Sequence, residues 1–184
     1  MRSLLFVLML MLAAAPLHAQ ESRGSVSAIG GFGKTWDDEG SLGSGWLVGG
    51  AVDRAFFGNR AGTTRIEFSA EVLTHDRNEG YFLSEGQTVV GGLSLVQRFG
   101  SGGAQPYVAG GLTIGHHSGT NTFVDERFPI SSTDAGFRGA FGIAFRAGQR
   151  MEISPEIRLN GLFVDNDSDP VTIISFGVRV GWRY

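Results

Sequence analysis

The stretch DPVTIISFGVRVGWRY, residues Asp169–Tyr184, alternates between two kinds of side chain. Successive side chains of a β-strand point to opposite sides of the sheet. One face of such a strand would therefore carry only large apolar or aromatic residues, which are Ile174, Phe176, Val178, Val180, Trp182 and Tyr184. The other face would carry mostly small or basic residues, such as Gly177 and Arg179. The stretch predicts a long strand with one continuous apolar face.

The same period of two recurs along the chain, and no long segment shows the period of a helix. Seven further segments of this kind precede the last one: Val26–Trp36, Trp46–Val52, Arg65–Val72, Val89–Phe99, Pro106–Gly115, Phe137–Phe145 and Met151–Phe163. The fifth is rich in glycine. We expect Val108, Leu112 and Ile114 to lie on its apolar, outward face. The pattern predicts eight strands.

The connections between these segments alternate in length. Short connections are predicted at residues 56–63, 100–105 and 147–150, and longer, more polar ones at 35–44, 75–86, 116–133 and 164–170. This alternation is typical of an up-and-down barrel that has tight turns at one end and larger loops at the other. An even number of strands would place both chain termini at the end with the tight turns.

Residues 1–19 have the features of a secretory signal peptide. Arg2 supplies the positive start, Leu4–Leu12 is an apolar run, and Ala13–Ala19 leads to a small-residue cleavage site before Gln20. The remaining residues, 20–184, would form one domain. The sequence contains no Cys, so neither a disulfide framework nor a lipid anchor on cysteine is expected. The net charge of −3 argues against a nucleic-acid partner.

Which way the apolar face points decides between two kinds of barrel. A soluble barrel buries its apolar face, whereas a membrane barrel turns that face to lipid. After residue 19 the chain has a single lysine, Lys34, and its polar faces are short and rich in glycine. Aromatic residues cluster at the strand ends, as they do at membrane interfaces. These features favour the membrane barrel over a soluble barrel or sandwich.

The aromatic closing strand, with the segments QPYVAGGL at Gln105–Leu112 and SPEIRL at Ser154–Leu159, resembles the small outer-membrane barrel proteins with an OmpA-type or OmpX-type domain. The resemblance implies an all-β, eight-stranded antiparallel up-and-down transmembrane β-barrel in the outer membrane of a Gram-negative bacterium, with both termini periplasmic. Contact with outer-membrane lipid and lipopolysaccharide follows, and we expect a monomer. The resemblance also implies an assembly signal for the outer-membrane assembly machinery, formed by Phe176, Val178, Val180, Trp182 and Tyr184.

The faces opposite the apolar ones carry charges that would project into the lumen. They are Arg65, Glu67, Glu71, Arg138, Glu152, Glu156, Arg158 and Arg179. Isolated buried charges are costly, so we expect them to form a structural network of ion pairs that closes the lumen. A turn at residues 148–150 would set Arg138 opposite Asn160. Arg138 would then have to pair with Glu67 or Glu71 across the lumen. A loop centred near residues 167 and 168 would set Glu156 opposite Arg179.

Two loop motifs suggest chemistry. Asp165–Asp169 resembles the start of a calcium loop, but Pro170 stands where an EF-hand needs glycine. The predicted outer loops are acidic, which fits either weak binding of divalent cations or simple solubility. His116 and His117 invite a metal or hydrolase interpretation, although adjacent residues of a strand point to opposite faces. No catalytic, cofactor-binding or metal-binding residues are predicted.

Some members of the resembled family are lipid A deacylases that use His and Ser on a late strand. The corresponding segment here, Ile153–Phe163, carries Arg158 and has no His or Ser at its centre. We therefore predict a non-enzymatic protein with a structural or surface-contact role. Three alternatives stay open: an adhesin-like module that binds through residues 116–133 with Phe123 and Phe128, a lipid A-modifying enzyme, and a narrow pore.

Overall fold

The computed structural model describes residues 24–37, 40–59, 61–79, 82–123, 126–163 and 170–184. They form eight strands, which are β1 Gly24–Asp37, β2 Gly40–Asn59, β3 Gly62–Glu79, β4 Phe82–Phe99, β5 Ala104–Phe123, β6 Glu126–Ala147, β7 Met151–Phe163 and β8 Val171–Arg183. Each strand pairs antiparallel with the next, and β8 pairs with β1 to close the barrel. The predicted fold class is confirmed. The signal-peptide prediction for residues 1–19 lies outside the described residues, within which no helix is long and apolar enough to span a membrane.

The strands are strongly tilted, because the pairing shifts as it passes around the barrel. One circuit of paired residues starts at Val26 on β1 and returns to the same strand at Trp36, ten positions further on; it runs through Val52, Phe68, Leu93, Leu112, Phe137, Gly161 and Thr172. A shift of ten residues over eight strands corresponds to a tilt of about 40° from the barrel axis. A strand then climbs about 2.5 Å per residue along that axis.

The apolar faces of the strands point outward. Phe68, Leu112, Phe137 and Phe176 are each 55–60% exposed, as are many other large apolar side chains around the barrel. An unbroken apolar exterior of this kind is solvated by lipid and not by water. The outward facing of Val108, Leu112 and Ile114 on β5 is confirmed as well.

The apolar belt ends well before the strands do. At the end away from the tight turns, the outward residues become polar at Lys34, Thr74, Gln87, His116 and Thr133. A membrane barrel has an apolar band about 25 Å tall, which requires about ten residues of each tilted strand. β4, β5 and β6 contain 18, 20 and 22 residues, so they continue far beyond the belt. We call this extension, residues 74–79, 82–88, 115–123 and 126–134, the rim sheet.

The rim sheet corrects the prediction of long loops. Pairing between β3 and β4 continues to Glu79 and Phe82, and pairing between β5 and β6 continues to Phe123 and Glu126. Above the belt, the inward and the outward side chains are both mostly polar, so the sequence loses the apolar alternation that marks strands in the belt. The predicted loop at residues 35–44 is likewise mostly strand. The predicted loop at 164–170 lies, except for Pro170, outside the described residues.

The predicted registers agree with the structure at one hairpin and differ at the other. Around residues 148–150, Arg138 pairs with Asn160, as predicted, and Arg146 pairs with Glu152. Between β7 and β8 the prediction is wrong, because Glu156 pairs with Gly177 and Arg179 pairs with Ser154. The error is a slip of two residues. Such a slip leaves every side chain on its own face, so the alternation in the sequence cannot detect it.

Candidate functional site: the braced lumen and its rim

Six charged side chains form one continuous chain of ion pairs across the middle of the lumen. Arg138 reaches Glu71 at 2.7 Å, and Glu71 also pairs with Arg158. Arg158 contacts Glu156, which lies 3.1 Å from Arg179. Arg179 completes the chain by pairing with Glu67. The order alternates in sign at every step, so each guanidinium has a carboxylate beside it.

The space that the Arg138 side chain occupies is left free by a glycine. Arg138 projects from β6 over Gly92 on β4, where a Cβ atom would overlap its guanidinium. Replacing Gly92 by any larger residue would displace Arg138 from Glu71. The glycine-rich inward faces noted in the sequence therefore make room for long charged side chains from the opposite wall.

A second, smaller group of charges lies nearer the tight turns. Arg65 donates from Nε to Asp53 at 2.6 Å, and Arg98 donates to Glu152 at 2.6 Å. Asp53 also accepts a hydrogen bond from the hydroxyl of Ser25 at 2.6 Å. Of these residues, Arg65 and Glu152 belong to the predicted network, whereas Asp53 and Arg98 were missed. The alternation along β2 could have identified Asp53, because it directly follows Val52, which faces outward, and must therefore face inward.

Tyr107 connects the two groups. Its hydroxyl donates to Glu156 at 2.6 Å, and the guanidinium of Arg98 lies 5.9 Å from the centre of its ring. Within the belt, the described part of the lumen thus holds five buried carboxylates and five buried arginines, which are Asp53, Glu67, Glu71, Glu152, Glu156, Arg65, Arg98, Arg138, Arg158 and Arg179. Equal numbers of opposite charges in contact are the arrangement that makes buried ionised groups tolerable.

An apolar plug lies beside this network and extends to its rim side. Seven buried residues pack together there, namely Ile29, Leu47, Ala51, Leu73, Val90, Leu162 and Ile173. The space bounded by Leu47, Glu71 and Arg158, where plug and network meet, has no room for a water molecule. An eight-stranded barrel is just wide enough to be filled by side chains, and this one is filled by both kinds.

Above the plug, two histidines stack at the base of the rim sheet. The rings of His75 and His117 are 4.7 Å apart and nearly parallel, with Nε2 of His75 3.2 Å from Nδ1 of His117. Thr88 lies 3.0 Å from the same Nδ1 atom. Both histidines project inward just beyond the outward residues that end the apolar belt. His117 was noted in the sequence; His75, 42 positions earlier, was not.

Both histidines are held in the neutral form. Burial and the neighbouring ring of His117 lower the pKa of His75 to about 4, against the opposing influence of Asp76. Burial likewise lowers the pKa of His117, and Asp134 opposes that shift. Within the described residues, no group of three or more metal-ligating side chains could hold a metal ion. The pair is therefore a neutral stack.

His116 points the other way, toward the outside of the barrel. Its Nδ1 atom lies 2.8 Å from the hydroxyl of Thr133. A nucleophile–base pair needs a third group that orients the base. In the described part of the chain, no carboxylate contacts the other ring nitrogen of His116, so this pair lacks that third group.

The five residues of the predicted assembly signal lie on the outer surface of β8 and at the residue that follows it. Phe176 and Trp182 are more than half exposed, and Val178 and Val180 lie between them on the same outward face. Tyr184 follows the end of the strand. Of the predicted acidic loop residues, Asp76, Glu85 and Glu126 lie on the rim sheet, whereas Asp165 and Asp167 fall outside the described residues.

Several solved structures share this fold. The chain is similar to Neisserial surface protein A, with a TM-score of 0.66 and 14% identity over 89% of this chain and 98% of that one. It is also similar to Ail, the attachment invasion locus protein of Yersinia pestis, with a TM-score of 0.57 and 13% identity over 90% of this chain and 100% of that one. The outer membrane enzyme PagL gives a TM-score of 0.52 and 14% identity over 87% of this chain and 99% of that one. At these identities the likeness concerns the fold alone.

The sequence comparison is more specific than the structural one. No curated protein matches the chain. The family described as outer membrane protein beta-barrel domain matches residues 4–184. Because this match spans nearly the whole chain and the structure is a closed eight-stranded barrel, the protein belongs to the outer membrane protein β-barrel domain family.

Proposed function

We propose that this outer-membrane β-barrel is a non-enzymatic surface protein, in which a filled barrel carries the rim sheet as a contact surface outside the cell. The observation that supports this most is the division of the strands into two parts. Their lower parts enclose a braced, neutral lumen, and their upper parts continue as a paired sheet beyond the apolar belt. The proposal includes a monomer with both termini periplasmic and with lipopolysaccharide around the base of the rim.

The filled lumen favours a role as a membrane anchor over a role as a pore. Ions need a continuous water-filled path, whereas the ion-pair chain and the apolar plug together fill the interior of the belt. Purified protein in planar bilayers should therefore show no stable single-channel conductance. Steady openings that disappear in Glu71→Gln or Arg138→Gln would support the pore instead.

The composition of the rim sheet supports a contact role. Phe128 is 51% exposed near the start of β6, at the end of the rim sheet away from the membrane, and Ile130 is half-buried next to it on the same face. Their neighbours on that face are polar, because Asn121 pairs with Phe128 and Ser132 follows Ile130. An exposed aromatic residue inside a polar rim is a common feature of protein interaction sites. The attachment and surface proteins among the structural neighbours agree with such a role.

Shortening the rim tests the contact role directly. Gly119 on β5 already pairs with Ile130 on β6, so residues 120–129 can be replaced by an Asn-Gly turn without changing the register below. Cells that display the shortened protein should adhere less to host cells or to one another than cells that display the full protein. Equal adhesion, with heat-modifiable folding preserved in both, would contradict a contact role for the rim.

The acidic groups of the rim extend the proposal to divalent cations. Asp76 and Glu85 pair across β3 and β4 just above the belt, where lipopolysaccharide phosphates would surround the barrel. Like charges repel unless a cation lies between them. Weak bridging by calcium or magnesium is therefore proposed at this level, and removal of divalent cations should loosen lipopolysaccharide from the purified protein.

A further inference from the structure

The lumen carries an excess of positive charge at its turn end, which is the end nearest the turns at residues 100–103 and 148–150. Within the described residues, four arginines on the strands face inward there, against two carboxylates. The arginines are Arg65, Arg98, Arg146 and Arg183, and the carboxylates are Asp53 and Glu152. Four positive charges against two negative ones leave an excess of two. These side chains lie on the opposite side of the barrel wall from the lipid.

Only two of the four arginines have a carboxylate partner. Arg65 pairs with Asp53. Glu152 lies opposite Arg146 in the β6–β7 pairing, but its carboxylate accepts its hydrogen bond from Arg98, at 2.6 Å. In the part of the chain that the structure describes, no carboxylate forms an ion pair with Arg146 or with Arg183. These two side chains therefore supply the excess charge.

The arginines at the turn end are held close together. The Arg183 guanidinium lies near enough to Arg146 and Arg98 for the charges of both to act on it. It donates to the backbone carbonyl of Gln149 at 2.7 Å, which fixes it against the turn between β6 and β7. The backbone N–H of Arg146 donates to the carbonyl of Gly103 at 2.8 Å, which joins that turn to the one between β4 and β5. Like charges held together in this way repel, and an anion between them would relieve the repulsion.

Two N–H groups of the cluster also lack an acceptor. Among the described residues, the Nε atoms of Arg98 and Arg183 are buried and have no hydrogen-bond partner. Arg98 as a whole is only 5% exposed. A buried donor without an acceptor is destabilising. Arg146 is exposed and Arg183 is half-buried, so the cluster is open to water on their side and an anion can enter there.

We propose that Arg98, Arg146 and Arg183 bind one soluble oxyanion of the phosphate class at the turn end of the lumen. A phosphate group carries roughly two negative charges near neutral pH, which matches the excess at this end. Its oxygens accept parallel N–H donors from guanidinium groups. The bound anion would connect β4, β6 and β8 and so hold the end of the closing strand.

The site is independent of the contact role proposed for the rim. It lies at the opposite end of the barrel, which faces the periplasm in the proposed orientation. Its ligand is therefore a phosphate or phosphorylated solute of that compartment.

NMR spectroscopy of the folded, ¹⁵N-labelled protein in neutral detergent micelles, titrated with inorganic phosphate, tests the site. The Nε–H signals of Arg98 and Arg183 should shift and reach saturation. Chloride at the same ionic strength should not reproduce these shifts, because it cannot accept two parallel N–H donors on two oxygens. Arg146→Gln should weaken phosphate binding by about tenfold, the loss expected for one charge-assisted hydrogen bond.

Arg54→Gln is the matched control. It also removes one arginine from the turn end, but from the outward face, where Arg54 is exposed. This variant should bind phosphate as the unmodified protein does, and heat-modifiable migration shows that each variant is folded. The absence of saturation, equal shifts with chloride, or equal weakening by the two variants would overturn the proposal.

A second arm distinguishes a soluble phosphate from a lipid head group. Phosphatidylglycerol added to the micelles should not displace inorganic phosphate, because the barrel wall separates the lipid from the inward-facing arginines. Displacement by phosphatidylglycerol would mean that phosphate binds on the lipid-facing side, and the site inside the lumen would be wrong.

Discussion

Glu71 on β3 and Arg138 on β6 meet across the lumen at 2.7 Å, although 67 positions separate them in the sequence. Glu71 also pairs with Arg158, so one carboxylate compensates two guanidiniums. This contact joins two walls of the barrel that share no backbone hydrogen bonds. A change of charge at Glu71 would therefore affect two guanidiniums at once.

Replacing Glu71 by Gln should destabilise the barrel. Glu71 is almost fully buried, and Gln keeps its shape but removes the charge that Arg138 and Arg158 share. Breaking a buried pair by removing one partner costs roughly 3–5 kcal/mol. Urea unfolding in lipid vesicles, followed by tryptophan fluorescence, should show this loss. Glu85→Gln, at an exposed carboxylate on β4, is the matched control, and equal midpoints for the two variants would mean that the network does not brace the fold.

Val178→Arg should prevent assembly. Val178 faces outward near the middle of β8, and an arginine on the lipid face at the midplane costs roughly 2–4 kcal/mol. Gly181→Ala is the control on the inward face, because its Cβ atom would be 3.6 Å from Ser27, an ordinary contact. Heat-modifiable migration of outer-membrane fractions distinguishes folded from unfolded protein. Normal folding of Val178→Arg would contradict the outward facing of this strand.

Two adjacent glycines on β1 offer a test of the closing seam. A Cβ atom at Gly31 would overlap the carbonyl oxygen of Phe176 on β8, whereas one at Gly30 would meet nothing within 4 Å. Gly31→Ala should therefore weaken the pairing of β1 with β8, and Gly30→Ala should not. Amide hydrogen exchange at the seam measures the difference. Equal protection in both variants would show that the two strands can separate slightly at no cost.

The histidine stack predicts a dependence on pH. The pKa of His75 is lowered to about 4 in the folded protein, from 6.5 when it is not folded. Protonation therefore favours the unfolded state, so the stabilisation is present above about pH 6.5 and is lost as the pH falls toward 4. The urea midpoint should fall over this window in the unmodified protein and fall less in His75→Gln. His116→Gln, which changes the outward histidine, serves as the control.

An NMR titration of the His75 ring identifies the group responsible. The ring should remain neutral down to about pH 4. Protonation of His75 near pH 6.5 would contradict the stacked, buried arrangement.

Labelling of single cysteines tests the orientation of the barrel. Thr120→Cys lies on the rim sheet and Gln149→Cys in a tight turn at the opposite end. On intact cells, a membrane-impermeant maleimide should label the first variant and label the second only after the outer membrane is opened. The reverse pattern would place the termini and tight turns outside the cell.

The sequence by itself determined which face of each strand carries which residues. Alternation is a local property, because each side chain points away from its neighbours whatever the rest of the chain does. The eight strands, the outward facing of residues such as Phe176, and the inward facing of Glu71 and Arg138 follow from it. A hairpin with a three-residue turn, at residues 148–150, leaves so little freedom that its register could be predicted too.

The tertiary structure alone decided which residues meet. The shift of ten residues around the closed barrel sets the height of each strand relative to those opposite, and no local pattern encodes that sum. It brings Arg138 to Glu71 rather than to Glu67, places Asp53 beside Arg65, and stacks His75 on His117. The extent of the rim sheet was also hidden, because strands above the belt are mostly polar on both faces, have no apolar period and are held by their backbone pairing.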